Sequence, residues 1–479
     1  MAQSKIIVKN VGVLLASEVL TNILSFVLVF AIARQLGDIG FGKYSFALSY
    51  ATIFIVFSEL GTLTFLIKEV SAGSPKAQKY INNIASIKLI LGILTFVLSI
   101  ITVRMIGGDA ESIYLVALAS AAMFFNYYGY LFRAIFQAHQ VMEYDALTKL
   151  LEKIVSVTLG ITVVMLGYGV EVLLASQIIS FIIFFIASWI IVSRKIMVIN
   201  LRFDFKIWKE ILATSFPFWI TTACIYIYYK ADTVMLGLFR SYAEVGWYNA
   251  GYRIIESATF IQTVVITAVF PALSKFHFVG EKKHLDLLFE KSFYYLFCLG
   301  LAMAVGGMML AERIILFIYG PEFIFAVPAF KIMLVTLLIM LITYLMGYLF
   351  NAIDKSHVFA IVVFIAMLFN IVFNFVFIKE FGYIGASYVR LFTELLAFLL
   401  FAYFMWKIGK FLPLKLLLKP ILATIVMGIV IYFFYFLNLL ILIPLAVSTF
   451  GISLILMKGI GKEELEIIKI LFSKWNKFK

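Results

Sequence analysis

Apolar residues in this chain come in runs of about twenty, separated by short breaks carrying charge, glycine or proline. A helix crossing the hydrocarbon core of a bilayer needs about 20 apolar residues. A spanning strand needs about ten residues of alternating polarity instead, in a closed barrel. The pattern therefore predicts an all-α polytopic membrane protein. Its fourteen expected spans are 11–33, 44–67, 84–106, 112–137, 146–167, 172–193, 211–238, 246–272, 292–318, 326–351, 357–378, 384–407, 417–437 and 439–457. From Gly461 to Lys479, residues Leu465, Ile468, Phe472 and Trp475 recur at helical spacing with lysines between them. That predicts an amphipathic helix lying on the membrane surface.

Composition points the same way. The chain is 64% hydrophobic and 14% charged, against roughly 45–50% and about 25% in soluble domains. Lipid must be the solvent for most of this surface, so backbone polar groups have to be satisfied within the helices. The net charge of +13 would suggest nucleic acid on a soluble protein. Here the lysines and arginines fall in short loops, where they set topology and meet anionic headgroups, so the bilayer is the expected partner and nucleic acid is not.

With the N-terminus inside, 28 of the 39 cations fall on the inner side. Seven (Arg34, Lys43, Arg104, Arg240, Arg313, Lys331 and Lys379) fall on the outer side, and four lie within spans. Both termini are expected in the cytoplasm, the protein in the cytoplasmic membrane. The start, with Lys5 and Lys9 before an apolar run and no small-residue cleavage site, predicts a retained first span. Cys224 and Cys298 sit in apolar runs and predict packing rather than a disulfide. No loop is large enough for a soluble catalytic domain, so no enzyme is expected. The scattered histidines give no metal cluster.

The chain repeats itself. Leu131-Phe132-Arg133-Ala134-Ile135 ends span four, and Leu349-Phe350-Asn351-Ala352-Ile353 ends span ten. His139 matches His357, Gly167-Tyr168 matches Gly382-Tyr383, and Leu36-Gly37 with Gly42-Lys43-Tyr44 matches Leu236-Gly237 with Gly246-Trp247-Tyr248. Equivalent words six spans apart predict two parallel six-helix lobes, related by a pseudo-two-fold axis along the membrane normal, with a substrate path between them. The expected organisation is a lobe at 1–193, a basic linker at 194–210 and a second lobe at 211–407. Two further spans at 408–457 and the tail at 458–479 follow.

With twelve repeated spans plus two, the Leu36-Gly37…Gly42-Lys43-Tyr44-Ser45 loop and the Arg133-Ala134 exit of span four, the chain resembles the polysaccharide-type (Wzx-like) flippases. These belong to the multidrug/oligosaccharidyl-lipid/polysaccharide (MOP) exporter superfamily. The resemblance implies that an oligosaccharide on a polyprenyl phosphate or diphosphate carrier moves from the inner to the outer leaflet by alternating access. Association with polysaccharide-assembly enzymes would accompany that role.

Polar groups inside spans are the candidate site, because an ionisable group at mid-bilayer normally faces a cavity or a partner. Span four carries Asn126, Tyr130, Arg133 and Gln137 on one helical face. Lys230 and Asp232 sit in span seven, Arg253 and Glu256 one turn apart in span eight. Arg133, Lys230 and Arg253 would form a cationic cavity for a phosphate, with Asn126, Tyr130 and Glu256 lining it. Arg390 and Glu394 read as a pair within span twelve, and Glu18 and Glu59 as lone acids able to line the cavity or carry a proton. The resemblance further implies a cation-coupling site for sodium, as in the lipid II flippases of the superfamily, at Asp232, Asn370, Asn374 and Thr393; that family typically has a second acid where Asn374 stands. Proton coupling is the other expectation, and no further cofactor is expected.

Two rival functions remain. A multidrug exporter of the same superfamily would favour the opposite charge in its cavity. A membrane-embedded polymerase or ligase would need acid pairs on long outer loops, where only Asp109 and Glu111 stand close together. An ATP-driven pump is excluded, since Gly461-Lys462 has Leu456 where a phosphate-binding loop needs glycine.

Overall fold

The computed structural model describes residues 2–410 and 412–459, with side chains from Ser17 onward except at 414 and 415. The expected amphipathic tail from Gly461 to Lys479 lies outside the described residues. The helices are α1 (Ala2–Glu59), α2 (Thr62–Ser71), α3 (Ala77–Met105), α4 (Ala110–Ala138), α5 (Met142–Met165), α6 (Val170–Lys195) and α7 (Phe205–Phe239). They continue with α8 (Tyr242–Ala258), α9 (Phe260–Val279), α10 (Lys282–Tyr319), α11 (Ala326–Ala352), α12 (Ser356–Lys407), α13 (Leu418–Phe433) and α14 (Leu439–Leu456). Ten stretches among the described residues, α8 and α9 taken together, are long and apolar enough to cross a membrane.

Two pairs of expected spans meet without a loop, at a glycine where the backbone leaves the helical conformation. α1 bends at Gly37 (φ 65°, ψ −173°) and α12 at Gly382 (φ 58°, ψ −140°). An L side chain pays a steric penalty at such φ values, and glycine does not. The expected second span also breaks early. Leu60 and Gly61 both take positive φ, and Glu59 accepts from the Gly61 and Leu63 amides at 2.9 and 3.3 Å, capping α2. Glu59 is therefore a helix cap rather than a lone acid.

One compact unit comprises residues 1–257, 318–329 and 363–393. Inside it, α1 crosses α8 at backbone distance. A methyl group on Gly42 would lie 1.8 Å from the Tyr242 carbonyl oxygen, and one on Gly246 would lie 2.1 Å from that of Asp38. Trp247 Nε1 donates to Asp38 at 2.8 Å, Tyr242 and Ser112 hydroxyls meet at 2.5 Å, and Lys43 pairs with Glu111 at 2.5 Å. This seam joins the first-half helices to α8.

At another point of this unit, the basic linker is pinned to α3, which starts seven residues before the expected span. Asn82 Oδ1 accepts from the Asn200 amide at 3.1 Å. Asn83 Oδ1 accepts from the Asp204 amide and from Trp208 Nε1, both at 3.0 Å. The two amides satisfy linker donors that the apolar cluster of α2, α3, α4 and α7 would otherwise strand. Lys88, one turn further along α3, is buried.

The second unit comprises residues 258–317, 330–362 and 394–479. The segment 211–407, expected as one lobe, contributes to both units. In the second, α13 and α14 pack on α10 through Tyr294, Cys298, Leu310, Met427, Ile431, Leu442 and Phe450. Arg313 donates to the carbonyls of Tyr435 and Leu437 at 2.5 and 2.6 Å, satisfying acceptors just past the end of α13. Tyr432, Phe433 and Phe436 beside them are exposed, as befits residues solvated by lipid. Both cysteines are buried and free.

The repeat has a backbone counterpart. Gly167 and Gly382 both have positive φ. Gln140 and Asp354, each two residues past the end of α4 or α11, share φ 58°.

Replacing Asn83 by leucine leaves two donors without an acceptor, each costing about 1–3 kcal/mol. Thermal unfolding in mild detergent should shift down accordingly, and Trp208 fluorescence should report a loosened linker. Asp204 caps α7 through the Lys206 and Ile207 amides, and its hydrogen bond with Lys79, followed by these amides, holds its carboxyl below the usual carboxylate range. A depressed pKa contributes docking above the unfolded value and loses it as pH falls through the folded one. Linker docking, followed by Trp208 emission, should weaken only on strong acidification, and Asp204→Asn should remove that step.

Candidate functional site

All ten candidate residues lie in the first unit, where they fall into three groups. The first is on α4. Arg133 Nε donates to Asp145 Oδ1 at 2.5 Å and Nη2 to Oδ2 at 3.4 Å, while Gln137 Nε2 donates to Oδ2 at 3.0 Å. Asp145 is buried in the first turn of α5, and the Arg133 guanidinium lies 5.1 Å from the Tyr130 ring centre. Arg133 is therefore a neutralised cation, clamped across the α4–α5 turn. Tyr130 packs at 5.1 Å on Tyr127, which approaches Tyr226 of α7 at 6.4 Å. Asn126, one turn before Tyr130, is partly exposed.

The second group joins α7 to α8. Glu256 sits between two cations. Arg253 Nη1 donates to Oε2 at 2.7 Å, and Lys230 Nζ lies 3.6 Å from Oε1. One carboxylate for two cations leaves a surplus positive charge. The three side chains are 25%, 18% and 39% accessible for Arg253, Lys230 and Glu256 respectively, so the surplus can be reached. Arg253 Nε is buried with no hydrogen-bond partner among the described residues. Glu18, read as a lone acid, is paired with Lys149.

The third group surrounds Asp232, which is 1% exposed. Asn370 and Asn374 of α12 both donate to Oδ1, at 2.9 and 2.5 Å. Tyr248 donates its hydroxyl to Oδ2 at 2.6 Å. Arg390 Nη1 lies 3.7 Å from Oδ2 and donates to the Tyr228 carbonyl at 3.0 Å. Its guanidinium stacks 4.0 Å from the ring centre of Tyr228 and 4.9 Å from that of Tyr229. Thr393 donates to Val389 of its own helix at 2.7 Å and shares no hydrogen bond with the other three.

Asp232, Asn370 and Asn374 thus converge, but not as a cation cage. A hard cation needs several oxygens aimed at one centre, whereas two N–H groups and one O–H already donate to the carboxylate and the Arg390 guanidinium stands 3.7 Å away. The asparagines face it with donors, and Asn374 Oδ1 is the acceptor they leave over. The expected sodium set does not fit.

Asp145, Glu152, Tyr248 and the tie from Arg390 to Asp232 escaped the sequence reading. Asp145 had a signal, an acid at the start of the helix following the arginine. The Arg390 contact spans 158 positions of chain and had none.

The comparisons follow. Residues 7–277 match the family model "Polysaccharide biosynthesis protein", and 217–376 match the MatE model. An uncharacterised membrane protein of Methanocaldococcus jannaschii, MJ1068, is 25% identical over 41% of this chain and 39% of its own length. The "probable low-salt glycan biosynthesis flippase Agl15" of Haloferax volcanii is 21% identical over 34% of each chain. The chain thus spans well under half the length of these relatives. Among solved structures, lipid II flippase MurJ in an inward closed conformation superposes with a TM-score of 0.76 at 17% identity, covering 91% of this chain and 97% of that one. An inward-facing multidrug resistance MATE family transporter of the MOP superfamily follows at 0.65 and 13%, covering 81% and 95%. These likenesses show the fold. By the match over more than half its length, this multi-pass membrane chain belongs to the polysaccharide biosynthesis protein family.

Proposed function

We propose that the protein is a flippase that carries a polyprenyl-phosphate- or diphosphate-linked oligosaccharide from the inner to the outer leaflet by alternating access, without covalent chemistry. The observation that carries this reading is the Lys230–Glu256–Arg253 cluster. It is the candidate group that keeps a net positive charge while remaining accessible. A phosphate arriving there can displace Glu256 from the guanidinium fork, so the anion exchanges one partner for another and is never left bare in a ~30 Å hydrocarbon layer. Arg253 offers paired donors to phosphate oxygens, which lysine cannot. Tyr252 packs its ring 5.9 Å from the Lys230 ammonium beside this cluster.

The seam where Gly42 meets Tyr242 and Gly246 meets Asp38 is the closed end in this reading. Parting it would release cargo outward. Partnership with polysaccharide-assembly enzymes and an orientation with both termini in the cytoplasm belong to the same proposal.

The test is a liposome assay following translocation of a lipid-linked oligosaccharide. A charged hydrogen bond contributes about 1.5–3 kcal/mol, so Arg253→Ala should slow flipping roughly 10–100-fold while insertion and thermal stability persist. Arg253→Lys should recover only part of that rate. Wild-type rates from Arg253→Ala and Lys230→Ala together, or efficient export of organic cations by the same preparation, would overturn the assignment. Glu256→Gln should instead tighten substrate binding and slow release, seen as a lower KM together with a lower kcat, because both cations then face the phosphate without a competitor.

A further inference from the structure

We infer that Arg390 is a tethered counter-cation that occupies the place a mobile ion would take at Asp232. The site neither binds sodium nor exchanges its charge with solution during the transport cycle. The inference rests on the flippase reading only for this last consequence; the binding chemistry stands without it.

The geometry makes the case. Asp232 and Arg390 are each 1% exposed, so neither charge is compensated by water. Asp232 Oδ1 is held by Asn370 and Asn374, and Oδ2 by Tyr248 and Arg390. Three donors engage the carboxylate, and one guanidinium 3.7 Å away sits against its charge. That guanidinium is itself fixed by the Tyr228 carbonyl at 3.0 Å and by the Tyr228 and Tyr229 rings. Aromatic faces stabilise a desolvated guanidinium better than a small, strongly hydrated ion that needs oxygen ligands.

The asparagines are turned to suit a carboxylate balanced by the guanidinium. A cation at Asp232 would require their carbonyl oxygens to face it, yet both present Nδ2, and Asn374 Nδ2 also donates to Asn370 Oδ1 at 3.1 Å. Asn374 Oδ1 is left as a lone buried acceptor, and one amide oxygen does not make a coordination shell. The cluster is therefore a charge-balanced bolt linking α7, α8 and α12. If flipping is driven by an ion gradient, the ion enters elsewhere.

Remove the guanidinium and the chemistry inverts. Asp232, two amides able to turn their oxygens inward and the freed Tyr228 carbonyl would then surround a net negative charge. That is a donor set suited to sodium.

The experiment compares the purified full chain in sodium chloride and in choline chloride at equal ionic strength and pH 8, by thermal unfolding and by equilibrium binding of radioactive sodium. Wild type should show no sodium-dependent shift and no saturable binding. Arg390→Ala should gain both, with sodium binding at least tenfold tighter than in wild type, and Arg390→Ala/Asp232→Asn should lose them again. Saturable sodium binding by wild type that Asp232→Asn abolishes would overturn the inference. A folded Arg390→Ala protein indifferent to sodium would do so as well. Should Arg390→Ala not fold, the wild-type and Asp232→Asn measurements still decide. None of these readouts requires substrate, so failure of the flipping assay with sodium-indifferent wild type would count against the transport assignment alone.

Discussion

Among the described residues most charges in the apolar interior meet a partner on another helix, Lys88 being an exception whose ammonium has no hydrogen-bond partner, and much of the local architecture follows from that constraint. A bare ion in hydrocarbon is costly enough that it must be paired, solvated by polar groups or neutralised. Arg133 is answered by Asp145, Glu18 by Lys149 and Asp232 by Arg390. Arg313 is answered by two carbonyls beyond the end of α13. Each answer comes from a different helix or from beyond a helix end, so the charges also act as ties. A soluble core would hold the same helices together by burying apolar surface. In lipid that force is absent between helices, and polar ties and close backbone approach at Gly42 and Gly246 carry more of the specificity.

In the proposed function the same constraint bears on where the substrate would sit. A chain that must pass a phosphate across the bilayer needs positive charge along the route, but a fully unbalanced cluster would not be stable before cargo arrives. Sharing Glu256 between Lys230 and Arg253 meets both demands. The acid stabilises the empty state and yields when a stronger anion competes. Arg133 lacks this property, since its partner Asp145 is buried and also held by Gln137. Charge alone made the three cations look equivalent, and burial separates them.

What the sequence disclosed, it disclosed through local rules. Apolar run length placed the helices, and Gly37 and Gly382 stood where the chain had to bend. The i, i+3 spacing put Arg253 beside Glu256, and the i, i+4 spacing put Asn370 beside Asn374. Pairings between helices were not legible, because nothing in the local pattern announces that Arg390 also meets Asp232 on another helix. The linker escaped for a related reason. Asn82 and Asn83 look like loop residues, and only their acceptance of donors more than 110 positions away makes them the anchor of 198–208. The early start of α3 follows from that anchor.

Asn374 and Arg390 are best understood as one choice. Asn374 Nδ2 lies 2.5 Å from Asp232 Oδ1, a distance at which a carboxylate would be repelled unless a further positive charge joined the cluster. An amide there removes the repulsion and adds a donor, which leaves Asp232 with a single negative charge. One guanidinium balances one carboxylate, and the cluster can then be buried at low cost with no ion from solution. An acid at 374 beside Arg390 would leave the group one charge negative, and so would Asn374 without Arg390. Either residue alone would restore the need for a mobile cation. Together they remove it, turning a place where charge could come and go into a fixed joint around which the neighbouring tyrosines Tyr228, Tyr229, Tyr248 and Tyr252 are organised.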